Sequence, residues 1–187
     1  MNVEKQSVKL VDEIKYEDLL EKIEKCGRIC YQSEGYGEPE RFVSMLIKRG
    51  HESVLEHVNL TFKITTNRNI SHELVRHRIA SYSQESTRYV KYTDPTFIPA
   101  DFEYDTEFLE RASEVYKQKI KSGMPPEIAR DYLPGCLKTE LYMTMNLREL
   151  RHFIRLRMTA AAHPQMSELA TMIFLILRDK YPVIVNE

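Results

Sequence analysis

The chain has 187 residues, of which 42% are hydrophobic, so the composition predicts a folded protein with a substantial core rather than a disordered one. Lysine and arginine number 27 and aspartate and glutamate number 28, and this balance argues against bulk electrostatic binding to nucleic acid or to a membrane surface. The longest apolar run, 172–177, is far too short to cross a bilayer, and residues 1–14 lack the apolar core of a secretion signal.

The hydrophobic pattern predicts three helices and one strand in the first half of the chain. Apolar residues at helical spacing indicate the helices, and alternation of apolar and polar residues indicates the strand. A glycine-rich loop, 33–40, separates the first two helices, and Gly50 is expected to close the second. The predicted elements are a helix over 16–31, a helix over 39–49, a strand over 58–64 and a helix over 67–77.

The second half of the chain predicts further helices and one more alternating strand. Two prolines make 94–101 a loop, and Asn146 is expected to cap the helix that follows the strand, with Glu149 at its third position. The elements are a helix over 106–121, a short helix over 125–132, a strand over 136–145, a helix from 146 to about 162 and a helix over 164–180. This mixture predicts an α+β fold, with a mainly antiparallel sheet packed with several helices in a single domain, 1–187.

Neither the cysteines nor the histidines predict a nucleophile or a metal site. An odd number of cysteines, Cys26, Cys30 and Cys136, without a secretion signal favours reduced thiols in the cytoplasm, and none lies in a polar cluster. The pair His51 and His57 is six residues apart, and His72 and His77 are five apart. These steps turn about 240° and about 140° around a helix, whereas a zinc-binding helix needs histidines four apart on one face.

The stretch 76–89, RHRIASYSQESTRY, concentrates polar groups that suit a phosphorylated ligand. It holds three arginines, a histidine, three serines, a glutamine and a glutamate. Guanidinium forks, hydroxyls and an amide together can bind phosphate and hydrogen-bond a planar ring. A solvated loop is the alternative interpretation.

The predicted helix that begins after Asn146 carries a second group of arginines. Arg148, Arg151 and Arg155 share one face, which is expected to be solvated. Arg157 lies about 200° from Arg155, on the apolar side, where a cation needs an anionic or polar partner. This partner is either an acidic side chain, in a structural ion pair, or a ligand.

Four segments resemble the motifs of flavin-dependent thymidylate synthases. The pattern R-H-R-x2-S-x4-S-x-R is specific to that family and is carried here by Arg76, His77, Arg78, Ser81, Ser86 and Arg88. The other three matches are GHESVLEH at 50–57, ARDYLP at 129–134 and MNLRELRHFIRLR at 145–157. They follow in the family's order, whereas the first 49 residues agree only in general pattern.

The resemblance implies a methyltransferase that converts dUMP to dTMP. In this family the methylene comes from methylenetetrahydrofolate and the reducing power from NADPH through bound FAD, without a cysteine nucleophile. A cytoplasmic homotetramer with shared active sites is also implied. Without the resemblance, the arginines alone would also fit a non-enzymatic module that binds nucleic acid or a nucleotide, or a helical scaffold without a small ligand.

The resemblance assigns roles position by position. Arg157 matches the residue that polarises the uracil ring and is the expected catalytic residue. Expected FAD contacts are Ser53, Arg76, His77, Arg78, Gln84, Asn146, Arg148 and His152. Expected nucleotide contacts are Glu73, Leu74, Val75, Arg76, Gln84, Glu85, Ser86, Thr87, Arg88, Arg130 and Arg157. The sequence departs from the family's usual residues at Glu73, Ser83, Gln84 and His163.

Overall fold

The computed structural model describes residues 1–30, 32, 37–101 and 103–186. The strands are β1 (Asn2–Val3), β2 (Ser7–Leu10), β3 (Asn59–Asn67), β4 (Ala80–Gln84), β5 (Thr96–Phe97) and β6 (Lys138–Asn146). The helices are α1 (Tyr16–Ile29), α2 (Pro39–Lys48), α3 (Arg68–Leu74), α4 (Thr106–Lys121), α5 (Pro126–Ala129), α6 (Leu147–Arg157), α7 (Pro164–Lys180) and α8 (Pro182–Val185). Short 3₁₀ turns span Glu52–His57 and Arg130–Tyr132.

Strands β2, β3, β6 and β4 form a sheet in that order, and β1 pairs with β5 in parallel. Side-chain contacts show that β3 and β6 are antiparallel. The hydroxyls of Thr61 and Thr144 lie 3.0 Å apart, and the Thr65 hydroxyl donates to Glu140 at 3.3 Å. Four residues forward in one strand correspond to four residues backward in the other, as antiparallel pairing requires. The prediction of mixed helices and an antiparallel sheet is confirmed.

Most predicted helices begin within a residue of their predicted starts, and the differences have local causes. Helix α3 ends at Leu74 rather than near His77, and β4 follows from Ala80. The mostly polar sequence of β4, ASYSQ, hides the alternation of a strand. Helix α6 ends at Arg157, since Met158 leaves helical dihedral angles. The predicted loop 94–101 contains β5. Gly50 has φ of +72° and follows α2, which confirms its predicted role.

Part of two sequence predictions lies outside the described residues. The glycine-rich loop was predicted over 33–40, and the structure describes only its last residues, from 37. The first helix was predicted to reach residue 31, which is also outside the described part, and α1 ends at Ile29. In the described part of the chain, no helix has the length and apolarity needed to span a membrane.

Within the described residues, the chain divides into two compact units, each with its own packing. The first unit is Met1–Ser7, Ile64–Arg76 and Tyr82–Tyr142. Its core includes Phe97, Leu109 and Leu137, which are almost fully buried. Burial of such side chains stabilises the fold by about 1.5–3 kcal/mol each.

The second unit is Val8–Lys63, His77–Ser81 and Met143–Glu187, and it contains helices α1, α2, α6, α7 and α8. Helices α1 and α2 approach closely at Gly27, where an added Cβ would lie 2.9 Å from side-chain atoms of both Phe42 and Leu46. Helix α6 packs against α7 and against the 3₁₀ turn Glu52–His57.

Candidate functional site

The start of α6 forms one side of a cavity of about 460 Å³ in the second unit. Asn146 caps this helix, because its Oδ1 accepts a hydrogen bond from the Glu149 backbone N–H at 2.9 Å. The lining residues are Glu52, Glu56, Ile79, Asn146, Arg148, Glu149, His152 and Arg155.

Three expected FAD contacts, Asn146, Arg148 and His152, are therefore brought together at this cavity. Ser53 is exposed on the 3₁₀ turn that supplies Glu52 and Glu56 to the lining, but it is not itself a lining residue.

Ion pairs connect the 3₁₀ turn to α6 at the cavity. Arg148 donates to Glu56, and Arg151 donates through Nε to Glu52 at 3.1 Å, while Arg155 lies 3.6 Å from the same carboxylate. Arg151 is only 7% exposed and also donates to the Ile184 carbonyl. The prediction of a solvated arginine face is therefore wrong at Arg151, whose buried cation has the half-buried Glu52 carboxylate and a backbone carbonyl as partners.

A second group of side chains surrounds His77, which is buried. Its Nδ1 lies 3.4 Å from Glu149 Oε1, and its Nε2 accepts a hydrogen bond from Arg157 Nε at 2.9 Å. The Phe153 ring meets the imidazole edge-to-face, with 4.9 Å between centroids. Arg157 is half-buried, and the imidazole of His77 is a polar partner of the kind that its position on the helix predicted.

The surroundings of His77 keep its ring neutral. Burial lowers the pKa of His77 below its ordinary value, and the Arg157 cation lowers it further, although Glu149 opposes both. Because a guanidinium can only donate, the Nε2 atom must be the acceptor, and the ring proton belongs on Nδ1, facing Glu149.

The first unit holds the expected nucleotide contacts at the end of β4 and just after it. Gln84 donates to the hydroxyls of Ser71 at 2.9 Å and Thr139 at 3.1 Å, so its amide is fixed within the unit. Arg68 donates to the Glu85 carbonyl at 3.4 Å, and the Tyr92 hydroxyl donates to the Glu85 carboxylate at 2.6 Å. These bonds hold the chain as it leaves the strand.

The next residues lie beside the 3₁₀ turn that follows α5. Arg130 donates through Nη1 to the Thr87 hydroxyl at 3.2 Å. Arg88 is exposed and lies 3.7 Å from Glu127, while its backbone N–H donates to the Ser86 hydroxyl at 3.3 Å. The structure thus brings Ser86, Thr87 and Arg88 together with Arg130, although 129–134 and 76–89 are distant in sequence.

The remaining expected residues differ in exposure. Leu74 is fully buried, and its carbonyl accepts from the Tyr82 hydroxyl at 2.9 Å. Glu73 is half-buried, whereas Val75, Arg76 and Arg78 are exposed; Arg76 belongs to the first unit, and Arg78 to the second.

Sequence reasoning missed the acidic lining of the cavity. Glu52 and Glu56 stand four residues apart in GHESVLEH, and this spacing was the available signal. Glu149 was expected only as part of a helix cap. Among the described residues, no group of three or more His, Cys, Asp or Glu side chains is arranged to hold a metal ion.

Comparisons with known proteins match most of the chain to one family of proteins. The model of a family described as thymidylate synthase complementing protein matches residues 9–183. A flavin-dependent thymidylate synthase from Pyrococcus furiosus is 41% identical over 144 residues, which are 70% of this chain and 59% of the relative. That alignment therefore spans less than two thirds of the Pyrococcus protein.

A flavin-dependent thymidylate synthase from Geobacter sulfurreducens is 36% identical over 181 residues, covering 86% of this chain and 78% of the relative. Among solved structures, a UMP/dUMP methylase, PolB from Streptomyces cacaoi, bound with 5-Br dUMP, is similar with a TM-score of 0.82 and 27% identity. The similarity covers 99% of this chain and 95% of the other.

Proposed function

Because the chain belongs to the flavin-dependent thymidylate synthase family, we propose that it catalyses the reductive methylation of dUMP to dTMP. Methylenetetrahydrofolate is the carbon donor, and NADPH is the reductant that acts through FAD. The observation that carries this proposal is the cavity at the start of α6, where the expected flavin contacts Asn146, Arg148 and His152 meet.

The basic residues at this cavity suit the phosphates of a dinucleotide, because the carboxylates of Glu52 and Glu56 are already paired with arginines of α6. Arg148 is 53% exposed, and its bond to Glu56 uses one nitrogen of a guanidinium that has five N–H donors. The first turn of α6 adds the positive end of the helix dipole, while its Leu147 and Glu149 N–H groups are already bonded to the Val58 carbonyl and to Asn146. The cavity volume lies within the range of about 300–1,000 Å³ that is usual for small-molecule sites.

When bound, the flavin supplies the electrons that complete the methyl group. The chain's part is to hold it: the Arg148 guanidinium and the His152 imidazole are donors for its polar groups, and Asn146 keeps the helix start in place.

The side chains around Thr87 suit the phosphate of the nucleotide. The Thr87 hydroxyl orients Arg130, which is exposed, and the Ser86 hydroxyl accepts from the backbone at Arg88. The pair between Arg88 and Glu127 is exposed and therefore weak. A phosphate dianion would replace this carboxylate as the stronger partner of the arginine fork.

Arg157 supplies the fixed cation for the uracil ring. Its half-buried position strengthens electrostatic interactions relative to water. As negative charge develops on the pyrimidine, the guanidinium stabilises it. The neutral His77 holds Arg157 without adding a second positive charge beside it.

The cysteines support a reaction without a thiol nucleophile. Burial raises the pKa of Cys136, so this group stays a thiol rather than the reactive thiolate. Cys26 lies in α1 and Cys30 follows it, and neither lines the cavity at α6.

The proposal includes the assembly expected from the family. A single domain, 1–187, forms a homotetramer with shared active sites in the cytoplasm, without nucleic acid or membrane as partner. The exposed polar residues of 76–89, such as Arg76, Arg78 and Arg88, support a site completed by another subunit, because one chain leaves them exposed.

Absorption spectroscopy tests the cofactor part of the proposal. The purified protein should be yellow, and denaturation should release FAD rather than FMN. Arg148→Leu should lower the flavin content, whereas Arg111→Leu, which removes an exposed arginine near Glu114 on α4, should not. A colourless protein that takes up no added FAD would contradict the proposal.

A further inference from the structure

Helix α6 presents three consecutive turns to a single imidazole. Glu149, Phe153 and Arg157 follow each other at intervals of four residues, so they form one stripe along the helix. Each of them contacts His77, which lies outside the helix. The carboxylate lies at Nδ1, the phenyl ring packs edge-to-face with the imidazole, and the guanidinium lies at Nε2.

These contacts determine which nitrogen of His77 carries its proton. A protonated or Nε2–H imidazole has no lone pair at Nε2 and cannot accept from Arg157. The 2.9 Å bond therefore requires the neutral Nδ1–H tautomer. Glu149, whose carboxylate is buried with the ring, is the acceptor for that proton, although 3.4 Å is at the long end of a hydrogen bond.

We propose that His77 and Glu149 are positioning residues for Arg157 in the reaction. Glu149 selects the Nδ1–H tautomer of His77, and His77 then holds the Arg157 guanidinium through Nε. This inference rests on the proposed function, in which Arg157 acts on the uracil ring.

The position of the bond explains why it would matter for turnover. A hydrogen bond at Nε fixes the plane of a guanidinium, and with it the direction of the two terminal nitrogens. The edge-to-face contact with Phe153 keeps the imidazole plane constant. In a capping box, a glutamate at the third helical position accepts a hydrogen bond from the backbone N–H of the N-cap residue. Here the carboxylate of Glu149 faces His77.

A double-mutant cycle separates this positioning role from a general structural one. Glu149→Leu should lower kcat about 10- to 100-fold, because a displacement of about 1 Å near the reacting atoms can have an effect of that size. The KM for dUMP should change little. Glu149→Gln should retain more activity, because an amide carbonyl can still accept from Nδ1–H.

The second arm replaces the histidine by a side chain that needs no tautomer. In His77→Gln, the amide oxygen can accept from Arg157, so Glu149→Leu should cause little further loss in that background. Glu21→Leu, which breaks an exposed pair with Lys25, is the matched control and should behave as wild type. All rates are referred to the flavin-loaded fraction.

Nitrogen NMR of histidine-labelled protein gives a readout without substrate. The His77 proton should reside on Nδ1 in the wild type and shift toward Nε2 in Glu149→Leu. A wild-type proton on Nε2 would overturn the inference, and so would equal loss of kcat in both backgrounds or no loss in either. If Glu149→Leu does not fold, Glu149→Gln is compared across the same two backgrounds. Wild-type protein that forms no dTMP would instead refute the proposed function.

Discussion

At the scale of single residues, the sequence and the structure agree on the position of Arg157. Its place on the apolar side of a helix follows from the 3.6-residue period, and the structure finds it half-buried with a polar partner. The identity of that partner could not be read from the sequence, because His77 is 80 positions away and belongs to no repeating pattern.

Replacing Arg157 should impair turnover more than cofactor binding. Arg157→Ala removes a charge-assisted contact worth roughly 1.5–3 kcal/mol, which corresponds to a fall in kcat of about 10- to 150-fold if the contact forms in the transition state. Arg157→Lys should restore little, since an ammonium lacks the planar fork. Steady-state dTMP formation and flavin content on the same preparations check this. Wild-type turnover in Arg157→Ala would show that the residue is only structural.

The same histidine should make stability depend on pH. Its folded pKa is below the ordinary value of 6.5, mainly because the ring is buried. As the pH falls through about 6.5, the unfolded state binds a proton that the folded state does not, so stability decreases until the folded pKa is reached. Urea unfolding at about pH 7.5 and about pH 5.5 should therefore show a larger loss for wild type than for His77→Gln. The exposed His51→Gln is the control; equal losses for wild type and His77→Gln would contradict this reasoning.

At the scale of elements, capped and periodic helices were predictable and paired strands were less so. Helices α4 and α7 have the bounds that the apolar spacing predicted, because their signals are local. Strand β4 was missed because its residues are mostly polar and its pairing partner, β6, lies far along the chain. The cavity was only half predicted, because the matched motifs assigned roles to its basic residues but none to Glu52 and Glu56, which lie in the matched segment 50–57.

The caps of α6 and α4 allow effects on helix stability to be separated from effects on flavin binding. Asn146→Ala removes the cap of α6 and should lower the free energy of unfolding by about 0.5–2 kcal/mol. Because Asn146 also lines the cavity, flavin content should fall. Asp105→Ala removes the equivalent bond to Phe108 at the start of α4 and should reduce stability by a similar amount without loss of flavin. Flavin content and urea unfolding are measured for both variants. Equal flavin loss in the two would show that the loss follows from reduced stability alone.

At the scale of the whole molecule, the order of the motifs carried more information than any one element. Four segments in the family's order predicted the family that the comparisons confirm, whereas the assembly stays a prediction. Composition supports neither a tetramer nor a monomer, because subunit contacts depend on surface shape.

Light scattering should give about four times the chain mass of 22.1 kDa. If sites are shared, mixing inactive Arg78→Ala with inactive Arg88→Ala should restore part of the activity once subunits have exchanged, because some sites then receive both intact residues. A fully active monomer would contradict the shared site, as would exchanged mixtures that remain inactive.

A single-turnover experiment tests whether the protein transfers and reduces the methylene group. The flavin of the purified protein is reduced without oxygen, dUMP and methylenetetrahydrofolate with a labelled methylene are added, and the nucleotide is analysed by mass spectrometry. We expect dTMP that carries the label in its methyl group, formed in proportion to the reduced flavin, together with tetrahydrofolate. Unchanged dUMP with flavin-loaded protein, or dihydrofolate as the folate product, would contradict it.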